Sequence, residues 1–139
     1  MSTVASRLPR DVVAVIAVGG ALGAPARYEV SQLIHVANGS FPWATFVTNV
    51  SGAFVLGLFL TFTLERLPPT RYLRPFFAIG FLGAFTTFST MAVETVTLAK
   101  DGHVVLGVGY LIVSVAAGLV VTYLGIAIAR RVPRSAGSP

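Results

Sequence analysis

The sequence contains no cysteine. Disulfides, thiolate metal sites and cysteine nucleophiles are therefore excluded. Charge is scarce too: Asp, Glu, Lys and Arg make up 11% of the 139 residues, against about 25% in an ordinary soluble domain. A water-exposed fold has too little polar surface in this composition. Tryptophan occurs once and histidine twice. No His, Asp and Glu grouping has metal-ligand spacing, and no serine has an obvious base nearby. The chain is not expected to be an enzyme.

The few charges are also segregated. Val36–Leu64, Pro75–Val93 and Gly102–Ala129 contain none. A helix crosses the hydrocarbon core with roughly 20 residues. Two of these stretches exceed that length and the third is at its limit. The expected architecture is an all-α membrane protein with four transmembrane helices, at about Val12–Ile34, Phe41–Leu64, Leu73–Leu98 and Val104–Ala129. Backbone groups in lipid must be satisfied within the segment, so the spans are helices. They are too few, and lack the alternation, for a barrel. Asn38-Gly39-Ser40, Leu67-Pro68-Pro69-Thr70 and Asp101-Gly102 separate them as breaking signals. Residues 1–131 read as one transmembrane domain, and 132–139 as a polar C-terminal tail expected to be disordered. The run ending at Ala24-Pro25-Ala26 imitates a signal-peptide cleavage site, but those residues belong to a motif described below.

The net charge of +5 does not imply nucleic acid, because no basic run is interleaved with aromatics. The arginines flank apolar segments instead. With four spans, Arg7, Arg10, Arg66, Arg71, Arg74, Arg130, Arg131 and Arg134 share one side, against Lys100 and, if it lies near that end, Arg27. This bias favours both termini in the cytoplasm.

Polar residues inside spans are the functional candidates. The third span carries Gly80, Gly83, Thr86, Thr87, Ser89 and Thr90 at mid-membrane, a weak helical stretch. A break there would free carbonyls, tolerated at depth only when buried or binding something; carbonyl oxygens suit a hard cation. The alternative is a tightly packed helix whose hydroxyls bond to the preceding turn. Asn49, with Thr45 one turn earlier, lines a polar path or acts as interhelical glue. Tyr110, Ser114 and Gly118 form one stripe, either a hydroxyl track or a packing seam. Phe81, Phe85 and Phe88 read as a packing stripe, or as ring edges facing an anion. Arg27 snorkels at an interface or gathers anions at a vestibule. Glu94 lies one turn past Thr90, toward the aqueous end of its helix.

Three elements in order resemble the CrcB/Fluc fluoride channels: Gly20-Ala-Leu-Gly23-Ala24-Pro-Ala-Arg27-Tyr28, Thr45-Phe-Val-Thr-Asn49-Val-Ser-Gly52-Ala-Phe-Val-Leu-Gly57, and Gly80-Phe-Leu-Gly83-Ala-Phe-Thr86-Thr87-Phe88-Ser89-Thr90 followed by Glu94. The resemblance implies an antiparallel dimer of four-helix subunits, with the third helix broken at mid-membrane and two fluoride pores. It implies a structural sodium ion on the dimer axis, held by the carbonyls of Gly83 and Thr86. Asn49 and Phe88 match pore-lining positions, with Thr45, Ser89, Thr90 and Met91 on the same expected lining. Arg27 matches a vestibule arginine, and Tyr110 and Ser114 a polar track. Two positions depart from the pattern. Met91 stands where a second phenylalanine is common, and Gly118 stands where the track has its last hydroxyl.

The implied function is passive export of fluoride across the inner membrane, with the lipid bilayer and a second subunit as partners. That subunit is another copy of this chain or an oppositely oriented paralogue. The alternative is a small proton-coupled drug exporter. That class needs a carboxylate embedded in the first helix, where this chain has only Glu29, near the end of its span. A pure scaffold would not need a broken third helix.

Overall fold

The computed structural model describes residues 9–132. Arg7, Arg134 and nearly all of the polar tail lie outside them. Among the described residues the chain is wholly helical. Helix α1 is Arg10–Leu33, α2 is Trp43–Arg66, and the last helix, α5, is Val104–Arg131. The third span is composite: a π-wound segment, Pro75–Leu82, runs into a single turn, α3 (Gly83–Phe85), and then α4 (Phe88–Lys100). Counting Pro75–Lys100 as one, four helices among the described residues are long and apolar enough to cross a membrane.

Helices α2 and α5 outrun the apolar stretches at their C-termini, where Arg66, Arg130 and Arg131 lie and cations are favoured. Arg66 Nη2 donates to Arg130 O at 2.9 Å, and Arg74 Nη2 donates to Thr63 O at 3.1 Å. These bonds satisfy carbonyls left open where α5 and α2 end. Pro42 and Pro75 explain two starts: each lacks an N–H, which the first helical turn does not use. Gly102, with φ 87°, ends α4. Its N–H reaches Ala99 O at 3.2 Å, and that of His103 reaches Leu98 O at 2.8 Å, the paired bonds of a left-handed helix cap.

Packing is set by small residues, as expected where apolar attraction between helices is absent. Helix α1 lies against the π-wound segment and α3, α2 against α5, and α4 against α5. A Cβ on Gly19 would collide with Phe76 O, and one on Gly23 with Phe81 O. One on Gly80 would lie 2.5 Å from Ile16 O, and one on Gly125 2.5 Å from Phe54 O. At one end of the molecule Tyr72 donates its hydroxyl to Asp11 Oδ2 at 2.7 Å. That bond raises the Tyr72 phenol above its ordinary range.

The expected stripe of Phe81, Phe85 and Phe88 is not formed. Phe77, Phe81 and Phe85 stack instead, with centroids 5.5 and 6.1 Å apart. Phe88 leaves the stack because the backbone is extended at Thr86 (φ −78°, ψ 154°) and Thr87 (φ −147°, ψ 113°). Two extended residues reset the helical phase, and Phe88 is left 71% exposed.

Candidate functional site

The interruption at Thr86 and Thr87 is held from three directions. Across it, α2 supplies Asn49. Its Nδ2 donates to Thr87 O at 2.9 Å, while Thr87 N donates to Asn49 Oδ1 at 2.7 Å. One side-chain amide thus replaces a stretch of helix for one residue. Below it, Thr86 N and Thr86 Oγ1 both donate to Leu82 O at 2.9 Å. Above it, Thr87 Oγ1 accepts from Thr90 N at 3.2 Å and caps α4. A hydroxyl at that position normally satisfies an orphan N–H of the first turn. Gly52, one turn beyond Asn49, makes room for Thr86: a Cβ there would strike its Cγ2.

Two cavities share Thr87 on their walls. The first, about 230 Å³, is lined by Ala24, Arg27, Tyr28, Ser31, Ala44, Thr45, Thr48, Thr87 and Thr90. The second, about 320 Å³, contains Asn49, Thr86, Thr87, Phe88, Met91, Ser114 and Gly118. The fold therefore brings Asn49, Phe88, Met91 and Ser114 together, and groups Arg27, Thr45 and Thr90 separately. Ser89 and Gly83 line neither. Ser89 Oγ lies 3.3 Å from Thr87 Oγ1, and Gly83 is exposed. The second cavity offers an amide, hydroxyls, a thioether and a phenyl ring, with no ionisable side chain on its wall among the described residues. Ser114 Oγ is buried there without a hydrogen-bond partner.

Tyr110 stands apart from both cavities. It is fully buried, in a cluster with Met91 and Leu98, and its ring meets Phe41 edge-on at 5.2 Å. Its hydroxyl donates to Glu94 Oε2 at 2.7 Å, and Thr45 Oγ1 donates to Glu94 Oε1 at 2.8 Å. Glu94 therefore joins three helices rather than simply facing water. Its spacing from Thr90 gave no signal of this; the unmet polar need of Thr45 and Tyr110 inside apolar spans was the available clue. Met91 is 4% exposed, so this departure fills the core as well as edging the cavity. Gly118 faces open space: a Cβ added there would meet no atom within 4 Å.

Among the described residues, no group of three or more His, Cys, Asp or Glu side chains converges on a point. Carbonyl oxygens are the available ligands for a cation. A continuous helix would direct Thr87 N to Gly83 O and Thr90 N to Thr86 O. Both donors go elsewhere, to Asn49 Oδ1 and Thr87 Oγ1. The donor set at Gly83 and Thr86 thus fits a hard cation that takes oxygen ligands.

Residues 14–126 match the family described as "CrcB-like protein, Camphor Resistance (CrcB)". A Streptomyces avermitilis protein named fluoride-specific ion channel FluC 3 is 50% identical over 125 residues, covering 90% of this chain and 61% of its own length. A Mycolicibacterium paratuberculosis protein named fluoride-specific ion channel FluC 1 is 48% identical, covering 88% of this chain and 92% of its own length. A second Streptomyces avermitilis protein, named fluoride-specific ion channel FluC 2, is 46% identical over 100 residues, covering 72% of this chain and 63% of its own length.

Proposed function

The chain belongs to the CrcB-like protein family, and on that premise we propose that it is a fluoride-selective passive channel of the inner membrane that lowers cytoplasmic fluoride. The observation that carries this reading is the second cavity, with Asn49, Thr86, Thr87, Phe88 and Ser114 on its wall. Fluoride is small and strongly hydrated, so desolvation is the main barrier to its passage. Hydroxyls, an amide and aromatic edges replace that hydration in steps. A path without a fixed positive charge on its wall does not trap the ion. Arg27, in the adjoining cavity, raises the anion concentration at the entrance. The names of the relatives favour this reading over a drug exporter.

The assembly in this reading is an antiparallel dimer. Carbonyls of Gly83 and Thr86 from both subunits hold a sodium ion on its axis, and the exposed position of Gly83 suits a shared site. Bound sodium neutralises the repulsion among those carbonyls. The arginine bias favours termini inside, and the second subunit, a paralogue or an inverted copy of this chain, takes the opposite orientation. Two relatives from one Streptomyces avermitilis are in keeping with a pair of related chains.

The test is efflux from liposomes containing only this protein. Fluoride leaves along its gradient and chloride is strongly rejected. Equal flux of the two halides would overturn the reading.

A further inference from the structure

The oxygens of Gly83 and Thr86 become available because of two specific diversions. In an α-helix each N–H binds the carbonyl four residues earlier. For Gly83 O that donor is Thr87 N, and for Thr86 O it is Thr90 N. The Thr87 N–H is drawn to Asn49 Oδ1 at 2.7 Å. The Thr90 N–H is drawn to Thr87 Oγ1 at 3.2 Å. The preceding bond is retained, since Thr86 N still reaches Leu82 O at 2.9 Å. The loss of donors is therefore confined to the break.

We infer that the Asn49 amide oxygen and the Thr87 hydroxyl are positioning groups of the cation site, each withholding the backbone N–H that would otherwise occupy one of its two carbonyls. This rests on the proposal that those carbonyls hold a sodium ion. Neither side chain touches the ion in this arrangement. Asn49 does more than accept one bond: its Nδ2 also holds Thr87 O at 2.9 Å, so the whole residue is clamped in its extended form. If the amide is removed, the cheapest partner for the Thr87 N–H inside an apolar span is Gly83 O, because an unpaired donor there is costly. The helix then closes over one ligand. If the Thr87 hydroxyl is removed, the Thr90 N–H loses its acceptor, and its pull toward Thr86 O opposes the extended form that Asn49 holds. Asn49 also lines the cavity assigned to the anion. One side chain therefore borders the anion path and sets the cation site.

The experiment is a sodium titration of the purified dimer, with a bulky organic cation replacing sodium at constant ionic strength. The readout is the midpoint of thermal unfolding, which rises with any ion that binds only the native form. The wild-type midpoint climbs with sodium. In Asn49→Ala and in Thr87→Ala the half-saturating sodium concentration rises by about tenfold or more, the usual effect of losing groups that orient metal ligands. Thr87→Ser keeps the hydroxyl and the wild-type titration. Wild-type half-saturation in both alanine variants would overturn the inference, as would a Thr87→Ser variant that behaves like Thr87→Ala. A wild-type midpoint indifferent to sodium would overturn the sodium site itself, and the inference with it. If Asn49→Ala does not assemble, the comparison of Thr87→Ala with Thr87→Ser decides the matter.

Discussion

Tyr110 donates its hydroxyl to Glu94 Oε2 at 2.7 Å across the contact between α4 and α5. The second carboxylate oxygen is taken by Thr45 of α2 at 2.8 Å. A half-buried carboxylate thus has a donor for each oxygen, and each donor comes from a different helix. The arrangement ties α2 and α5 to the second half of the third span.

Tyr110→Phe keeps the ring and its edge contact with Phe41 but removes the donor. The variant should lose about 1 kcal/mol of stability, the net worth of a hydrogen bond to a half-buried acceptor. Thr45→Val should cost a similar amount. The double variant should fall short of the sum, because both bonds end on one carboxylate. Thermal or denaturant unfolding in detergent measures all three; strict additivity would mean that the two bonds are not coupled through Glu94.

Gly19→Ala should be severe. Its new Cβ meets the carbonyl of Phe76 and lies 2.9 Å from Phe81 N, and backbone atoms do not move aside as a flexible side chain does. A loss of about 1–3 kcal/mol or more is expected from overpacking. Gly109→Ala, where nothing lies within 4 Å, serves as the control and should fold as well as the parent. Equal unfolding midpoints for the two variants would contradict the close approach of α1 to the third span.

Phe88→Ile should leave the subunit's stability nearly unchanged, since Phe88 is 71% exposed and lies outside the Phe77–Phe81–Phe85 stack. Fluoride efflux should nevertheless fall several-fold, roughly the loss of one aromatic-edge contact of about 1 kcal/mol. Normal efflux at normal expression would remove Phe88 from the ion path.

Gly118→Ser places a hydroxyl in open space beside Ser114 in the second cavity. The variant should fold normally and pass fluoride faster, because an added donor replaces part of the lost hydration. Slower efflux from an equally stable protein would count against a hydroxyl track on α5.

Topology is tested by single cysteines, Thr3→Cys or Gly137→Cys, and a membrane-impermeant thiol reagent. The arginine bias predicts labelling from the cytoplasmic side alone. Comparable labelling from both faces, in cells expressing only this chain, would restore a dual-topology homodimer.

The spans, their number and their order were legible in the sequence because they follow from local quantities: the length of apolar runs between breaking signals and the placement of arginines. The boundaries moved by a few residues only, as at the end of α5, where Arg66 reaches the last carbonyls from another helix. The weakness of the third span at Gly83–Thr87 was also local, since glycine and paired threonines hold a helix poorly. What local pattern left open was whether that stretch packs as a helix or breaks. The tertiary structure decided it, because the partner of Thr87 is Asn49, 38 residues earlier. The same is true of Glu94, whose donors lie 49 residues before it and 16 after. A 3.6-residue period tells which side chains share a face, but not which helix that face meets. Satisfying a polar group inside an apolar span is a pairwise matter, so it is fixed only when the helices are brought into contact.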